Sequence, residues 1–355
     1  MGSMVSPKVT SHMIVNSTFK PARWLTNPHL QTLYSTIIPR SAAVIDDDER
    51  LELPDGDFID LAWATKGLSH DTPLVVLLHG LGGGVRSAYV AGLLRALNAS
   101  GYRGVLMYFR GASAEPNRLP RVYHSGETGD LTYVLNLLHR REPGTKKAVV
   151  GVSLGGNVLL KWLGETGSQS LIQAAVAVSV PFQLEMVADR INQGFSRIYQ
   201  ASLLRKLRAI CLRKIDLVNT QLPLTEQDLR SLKTIRAFDE KITAPLHGFK
   251  NGQSYYQEAS SRQYLGGIET PTLILHALDD PFMLPQAIPE ENELSEHVTL
   301  ELSQYGGHVG FISGDRLGLA RHWLEERIPE FLSQVGYSSR SYCQMWCTAS
   351  GGFPV

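Results

Sequence analysis

The stretch Gly151-Val152-Ser153-Leu154-Gly155-Gly156-Asn157 restricts what this chain can fold into more than any other. Apolar Ala148, Val149 and Val150 precede it, as in a buried strand, and Val158 to Leu163 follow with helical spacing. G-x-S-x-G between a strand and a helix is the pattern of a serine held on a sharp turn. Gly151 and Gly155 have no β-carbon, so strand and helix can approach closely while the turn lifts the Ser153 hydroxyl clear. The N-terminus of the following helix favours negative charge, which suits an anion developing beside that hydroxyl. A structural glycine turn is the bland alternative, and the flanking pattern favours the nucleophile.

The rest of the chain supplies a frame for such a turn. Leu74 to Leu78 is a continuous apolar run, the mark of a strand buried on both faces. It ends in His79-Gly80-Leu81-Gly82-Gly83-Gly84, and a helical pattern runs from Ala88 to Leu97. Gly104 to Phe109 reads as the next strand, then a polar loop follows, and Asp130 is placed to cap a helix from Leu131 to Arg141. Ala174 to Val180 is a further strand, closed by Pro181. Alternating strands and helices predict an α/β fold, a mostly parallel central sheet flanked by helices. From Phe182 the pattern is helical only, until Pro271 to His276 resumes the sheet. That break reads as an inserted helical cap.

The expected organisation is therefore an N-terminal arm (1–50), a core in two pieces (51–181 and 268–335), a cap (182–267) and a tail (336–355). Within the core, Leu51 to Leu53 and Phe58 to Ala64 form a hairpin, Val298 to Leu302 is the last strand and Leu317 to Leu332 a closing helix. Composition favours a surface arm pinned by Trp24 and Leu30. The cap should roof the serine with Phe182, Leu184, Met186, Ile198, Tyr199, Leu203 and Phe249.

A serine hydroxyl needs a base to take its proton, and an acid to orient the base. In strand–elbow–helix folds these follow in the order Ser, acid, His, each after a strand. Asp279 and Asp280 stand just beyond the strand ending near Ala277, and His308 lies in Gly306-Gly307-His308-Val309-Gly310 after the last strand. Asp280, paired with Pro281, is the expected acid, which leaves Asp279 to hold the turn. The oxyanion should meet the N–H groups of Leu154 and Leu81. A phosphate-binding reading of His79 to Gly84 fails, because no Lys-Ser/Thr pair follows.

With 34 basic and 34 acidic residues among 355, the chain presents no global field to nucleic acid or anionic membrane. Three cysteines without a C-x-x-C pair give neither a disulfide framework nor a metal motif. No window approaches a transmembrane span, so the expectation is a cytoplasmic protein without stable membrane insertion. The basic stretch Leu203 to Lys214 reads as a cap helix packing its leucines inward and solvating its charges.

These motifs, together with Asn27-Pro28-His29-Leu30-Gln31-Thr32, Phe109-Arg110-Gly111, Tyr123-His124-Ser125-Gly126 and Leu278-Asp279-Asp280-Pro281-Phe282, resemble the YheT-like (AB-hydrolase 4) α/β hydrolases from Pro21 to about Leu332. The resemblance implies a serine esterase using Ser153, Asp280 and His308, with no cofactor and no metal. Eukaryotic relatives often carry an N-terminal membrane anchor that this chain lacks, so it looks more like the bacterial branch. The expected function is hydrolysis of short to medium acyl esters of small molecules. Acyl transfer on the same residues and a non-catalytic binding protein are the alternatives. Arg110, His124 and Glu127 border the site and stay outside the catalytic set.

Overall fold

In the computed structural model, which describes residues 13–37, 41–315 and 320–336, nine strands join in one sheet. They are β1 (Ile14–Asn16), β2 (Asp47–Glu52), β3 (Phe58–Ala64), β4 (Leu74–Leu78), β5 (Arg103–Met107), β6 (Lys147–Val152), β7 (Ala174–Val178), β8 (Thr272–Ala277) and β9 (Val298–Ser303). Their order across the sheet is β1-β9-β8-β7-β6-β4-β5-β3-β2. Neighbours run parallel from β1 through β5, and β3 and β2 close the far edge antiparallel. The carboxyl ends of β6, β8 and β9 thus point the same way, which gathers the loops that follow them.

Helices cover both faces. In chain order they begin with α1 (Pro28–Ile37), α2 (Ala88–Ala99), α3 (Gly129–Arg141) and α4 (Leu154–Thr166). Between β7 and β8 the described chain makes only helices: α5 (Leu184–Arg190), α6 (Arg197–Leu212), α7 (Ile215–Asn219), α8 (Glu226–Ser231), α9 (Ile235–Phe238), a π-helical turn (Asp239–Thr243), α10 (Ala244–Leu246), α11 (Gly252–Ala259) and short 3₁₀ turns. The last helix among the described residues is α12 (Leu324–Gln334).

β4 shows why its sequence is apolar throughout. Leu74, Val76 and Leu78 pack with Leu131, Val134 and Leu135 of α3 and Val158 and Leu159 of α4. Val75 and Leu77 face the opposite layer, with Val90, Leu93 and Leu94 of α2 and Ile328 of α12. All five strand residues are fully buried. Each Leu or Val so buried contributes roughly 1.5–3 kcal/mol. The helical insertion has a small core of its own, including Leu204, Leu207, Cys211, Phe238 and Ile242. Leu204, Leu207 and Cys211 lie on the inner side of the basic helix and Arg205 stays exposed, as expected, but Lys214 does not: it is buried, and its ammonium donates to Asn117 Oδ1 and the Arg121 carbonyl.

Three local expectations need correction. The segment 1–50 is more than a surface arm: Ile14–Asn16 adds β1 to the sheet beside β9, and β2 already begins at Asp47. Asp130 does not cap α3; it lies inside the first turn, and both its oxygens accept from Arg110. The closing helix begins at Leu324, after a two-residue strand, Arg321–His322, that pairs with Ile312–Ser313. Leu317 lies outside the described residues, as does the tail beyond Gly336.

Candidate active site

The turn between β6 and α4 puts Ser153 at φ 54° and ψ −118°, a conformation a non-glycine residue rarely adopts. Such strain costs about 1–3 kcal/mol and persists only where the surroundings enforce it. Here the enforcement is close packing. A β-carbon on Gly155 would lie 2.6 Å from the Leu78 carbonyl oxygen, and one on Gly151 would lie 2.4 Å from that of Gly155. The Ser153 N–H is fixed on the Val178 carbonyl at 2.8 Å, and the Ser153 carbonyl accepts from Asn157 N–H at 3.1 Å.

The loops after β8 and β9 bring two more side chains to this turn. Ser153 Oγ lies 2.9 Å from His308 Nε2, and His308 Nδ1 lies 2.8 Å from Asp280 Oδ2. With Asp280 accepting from Nδ1–H, Nε2 is left to take the serine proton. Asp280 is almost fully buried, and its Oδ1 accepts the Phe282 N–H at 2.8 Å, which fixes the carboxylate plane. The Phe282 ring stacks on the imidazole at 4.1 Å with 10° between planes. Asp279 turns elsewhere. Its Oδ1 accepts the Gly307 N–H at 2.8 Å, its Oδ2 is buried without a partner, and burial pushes its pKa up to about 6.

The loop after β4 crosses above the serine. Gly80 N–H donates to the Tyr89 hydroxyl at 2.8 Å, Gly82 N–H to the Tyr123 hydroxyl at 2.7 Å and Gly83 N–H to the Gly80 carbonyl at 2.9 Å. Among the described residues the Leu81 N–H has no such acceptor, and neither has Leu154 N–H at the start of α4. His79 braces this loop from below. Its Nδ1 donates to the Gly80 carbonyl at 2.8 Å and its Nε2 accepts the Phe109 N–H at 3.3 Å, a pattern that requires a neutral ring.

Several supporting residues were not singled out from the sequence. Thr32 Oγ1 of α1 accepts the His308 N–H at 2.9 Å, and the neighbouring Gln31 donates to the Leu25 and Ile312 carbonyls and accepts from Ile312 N–H. Gly307 must be small, since its β-carbon would meet the Pro28 carbonyl at 2.4 Å. Ser179, at φ 50°, accepts the Val309 N–H at 3.0 Å. Asn157 donates to the Ser125 and Ala259 carbonyls and accepts the Ser261 N–H, joining α4 to the polar loop and to the end of the helical insertion. The motif Asn27 to Thr32 was the available signal, and only its distant partners explain it.

A cavity of about 1030 Å³ opens over Ser153 and His308. Leu184, Tyr199 and Leu203 line it as expected, joined by Val187, Ile191, Ile235 and Met283. Phe182, Met186, Ile198 and Phe249 do not. Phe182 is fully buried in the core, Ile198 is 56% exposed, Phe249 packs on His124 and Tyr255, and Met186 is half-buried away from the cavity. Arg110 is a structural residue, bound bidentately to Asp130 and also to Asp55 and Asp57. Glu127 pairs with Arg121, and His124 packs its ring 4.4 Å from His247. Among the described residues no group of three His, Cys, Asp or Glu side chains is placed to hold a metal ion, and no helix is long and apolar enough to cross a membrane.

Burial fixes a pH dependence of stability. It lowers the pKa of His79 and His276 to about 4, of His124 to about 3 and of His247, which also feels His124, to about 2. Unfolded, each would protonate near 6.5, so below that pH the unfolded chain binds more protons and stability falls. At pH 5 each ring withholds about 2 kcal/mol. Asp279 and Asp239, both pushed up to about 6 by burial, act in the opposite sense but are outnumbered. Thermal melts should therefore show a steep loss of Tm as pH falls from about 6.5 toward 4. A flat profile over that window would count against neutral burial of these rings.

A sequence profile described as alpha/beta hydrolase fold matches residues 73–315. YheT of Escherichia coli (strain K12), named for an esterase, is 44% identical over 316 residues, spanning 89% of this chain and 93% of that one. The chain belongs to the YheT-like α/β hydrolases. A monoacylglycerol lipase of Saccharomyces cerevisiae is 32% identical over 73% of this chain and 59% of its own, and a phospholipase of Mus musculus is 30% identical over 85% and 75%. The family is thus of esterase and lipase type. An esterase structure from Pyrococcus furiosus superposes with a TM-score of 0.56 at 18% identity, covering 88% of this chain and 98% of that one, a likeness of fold alone.

Proposed function

We propose that this YheT-like hydrolase is a serine carboxylic-ester hydrolase in which Ser153 is the nucleophile, His308 the general base and Asp280 its orienting acid. The observation that carries this reading is the hydrogen-bonded line Ser153–His308–Asp280 at the floor of the cavity. Ser153 Oγ attacks the acyl carbon as its proton passes to His308 Nε2, and Asp280 stabilises the imidazolium. The carbonyl oxygen becomes an oxyanion, held by the Leu81 and Leu154 N–H groups and favoured by the N-terminus of α4. His308 returns the proton to the departing alcohol. Water then attacks the acyl-enzyme, losing its proton to the same nitrogen; the bond to Ser153 Oγ breaks as His308 returns that proton to it, and the acid is released.

Residues 182–267 serve as the cap in this reading. Leu184, Val187, Ile191, Leu203, Ile235 and Met283 give the cavity an apolar wall for the acyl chain. Each methylene buried there contributes roughly 0.8 kcal/mol until the wall is filled. In a p-nitrophenyl ester series from acetate to palmitate, kcat/KM is expected to rise through medium chains and then fall. Palmitate as the best substrate would overturn the finite pocket and favour a long-chain lipase.

A further inference from the structure

The cavity lining is largely apolar but also carries charge. Three cationic side chains line it, Arg86, Lys206 and Arg213, against one acidic residue, Asp239. Asp239 can balance only one of them. Its two oxygens accept from the Thr243 hydroxyl at 2.7 Å and the Tyr256 hydroxyl at 2.9 Å. The Arg213 guanidinium donates to the carbonyls of Gly111 (2.7 Å), Ala114 (2.9 Å) and Ser113 (3.2 Å), which hold it in place without cancelling its charge. Neither Lys206 nor Arg86 makes an ion pair among the described residues. In a chain whose charges sum to zero, three cations against one carboxylate around this cavity are a local excess.

Lys206 packs against the loop that carries Leu81. Its stem lies on the loop after β4: a β-carbon on Gly82 would meet Lys206 Cδ at 2.4 Å, and Gly82 follows Leu81 directly. Gly82 is also left-handed, at φ 62°, so the stem has a flat glycine backbone to lie on. Arg213 is seven residues further along the same helix direction, hence on the same face. A substrate whose acyl chain enters the apolar wall and whose carbonyl meets Leu81 would carry its alcohol portion past this lysine.

We propose that the site selects esters whose alcohol portion bears an acidic group, a phosphate or a carboxylate, bound by Lys206 with Arg86 and Arg213 reinforcing the field. The inference rests on the ester-hydrolase reading and names its substrate class. A charge-assisted hydrogen bond of this kind is expected to favour the acidic ester by roughly 10- to 100-fold in kcat/KM.

The test compares three esters of one chain length: 1-octanoylglycerol, its 3-phosphate and octanoylglycerate. The wild-type protein should prefer both acidic esters to the uncharged one by at least about tenfold, and the larger of the two preferences identifies phosphate or carboxylate. Lys206→Met should remove most of that preference, Lys206→Arg should retain it and Lys206→Glu should invert it. A preference that survives Lys206→Met and Lys206→Glu, or a wild-type protein that cleaves only the uncharged ester, overturns the inference while the hydrolase reading stands. Failure of the wild-type protein to cleave any of the three, or a p-nitrophenyl ester, overturns both.

Discussion

Replacing Ser153 by alanine is expected to lower kcat for an activated ester by at least about 10³-fold, because nucleophile, base and acid act as a unit. The fold should survive the change. Alanine presents no larger group to the strained turn, and the packing of Gly151 and Gly155 that enforces φ 54° remains. Removing the hydroxyl takes one hydrogen bond from His308 and leaves that of Asp280 in place. Labelling by a fluorophosphonate should vanish in Ser153→Ala and reappear in wild type, while the two proteins melt at similar temperatures. Turnover that persists in a clean Ser153→Ala preparation would falsify the nucleophile assignment, and with it the acyl-enzyme.

The second large effect separates two adjacent carboxylates. Asp280→Asn should cost about 10³- to 10⁴-fold in kcat, since an amide can donate to Nδ1 and so favour the tautomer that leaves Nε2 protonated. In that tautomer the ring cannot accept from Ser153. Asp279→Asn should keep kcat within about tenfold of wild type and shift stability by roughly 1 kcal/mol. Its Oδ1 could still accept the Gly307 N–H, and its other oxygen already lies buried without a partner. Measured side by side, a dead Asp279 variant with an active Asp280 variant would reverse the assignment. Asp279 would then reach the imidazole only through a rearranged loop.

The features legible in the sequence were those whose cause is local. The run Leu74 to Leu78 had to be a doubly covered strand, and the glycines around Ser153 had to make a tight turn, because each follows from the residues themselves. The placement of Asp280 and His308 after β8 and β9 followed from strand ends and chain order. What escaped was set by partners far along the chain. Ile14–Asn16 is too short to announce a strand and becomes one only by pairing with Leu300–Leu302. Thr32 and Gln31 looked like arm residues until the His308 loop lay against them. Phe182 and Ile198 shared the apolar character of Leu184 and Leu203, and nothing in that character distinguishes a core side chain, an exposed one and a cavity wall.

The seat of His308 joins distant parts of the chain: α1 precedes the main strands of the sheet, and the loop it holds follows β9. As the polypeptide emerges during synthesis, the serine turn can form while its acid and base are still unmade. On the proposed mechanism, a chain arrested after β7 therefore exposes a hydroxyl with nothing to take its proton. On that mechanism, reactivity arrives only when the His308 loop docks on α1, so that a chain still unfinished at that point is inert toward the esters around it.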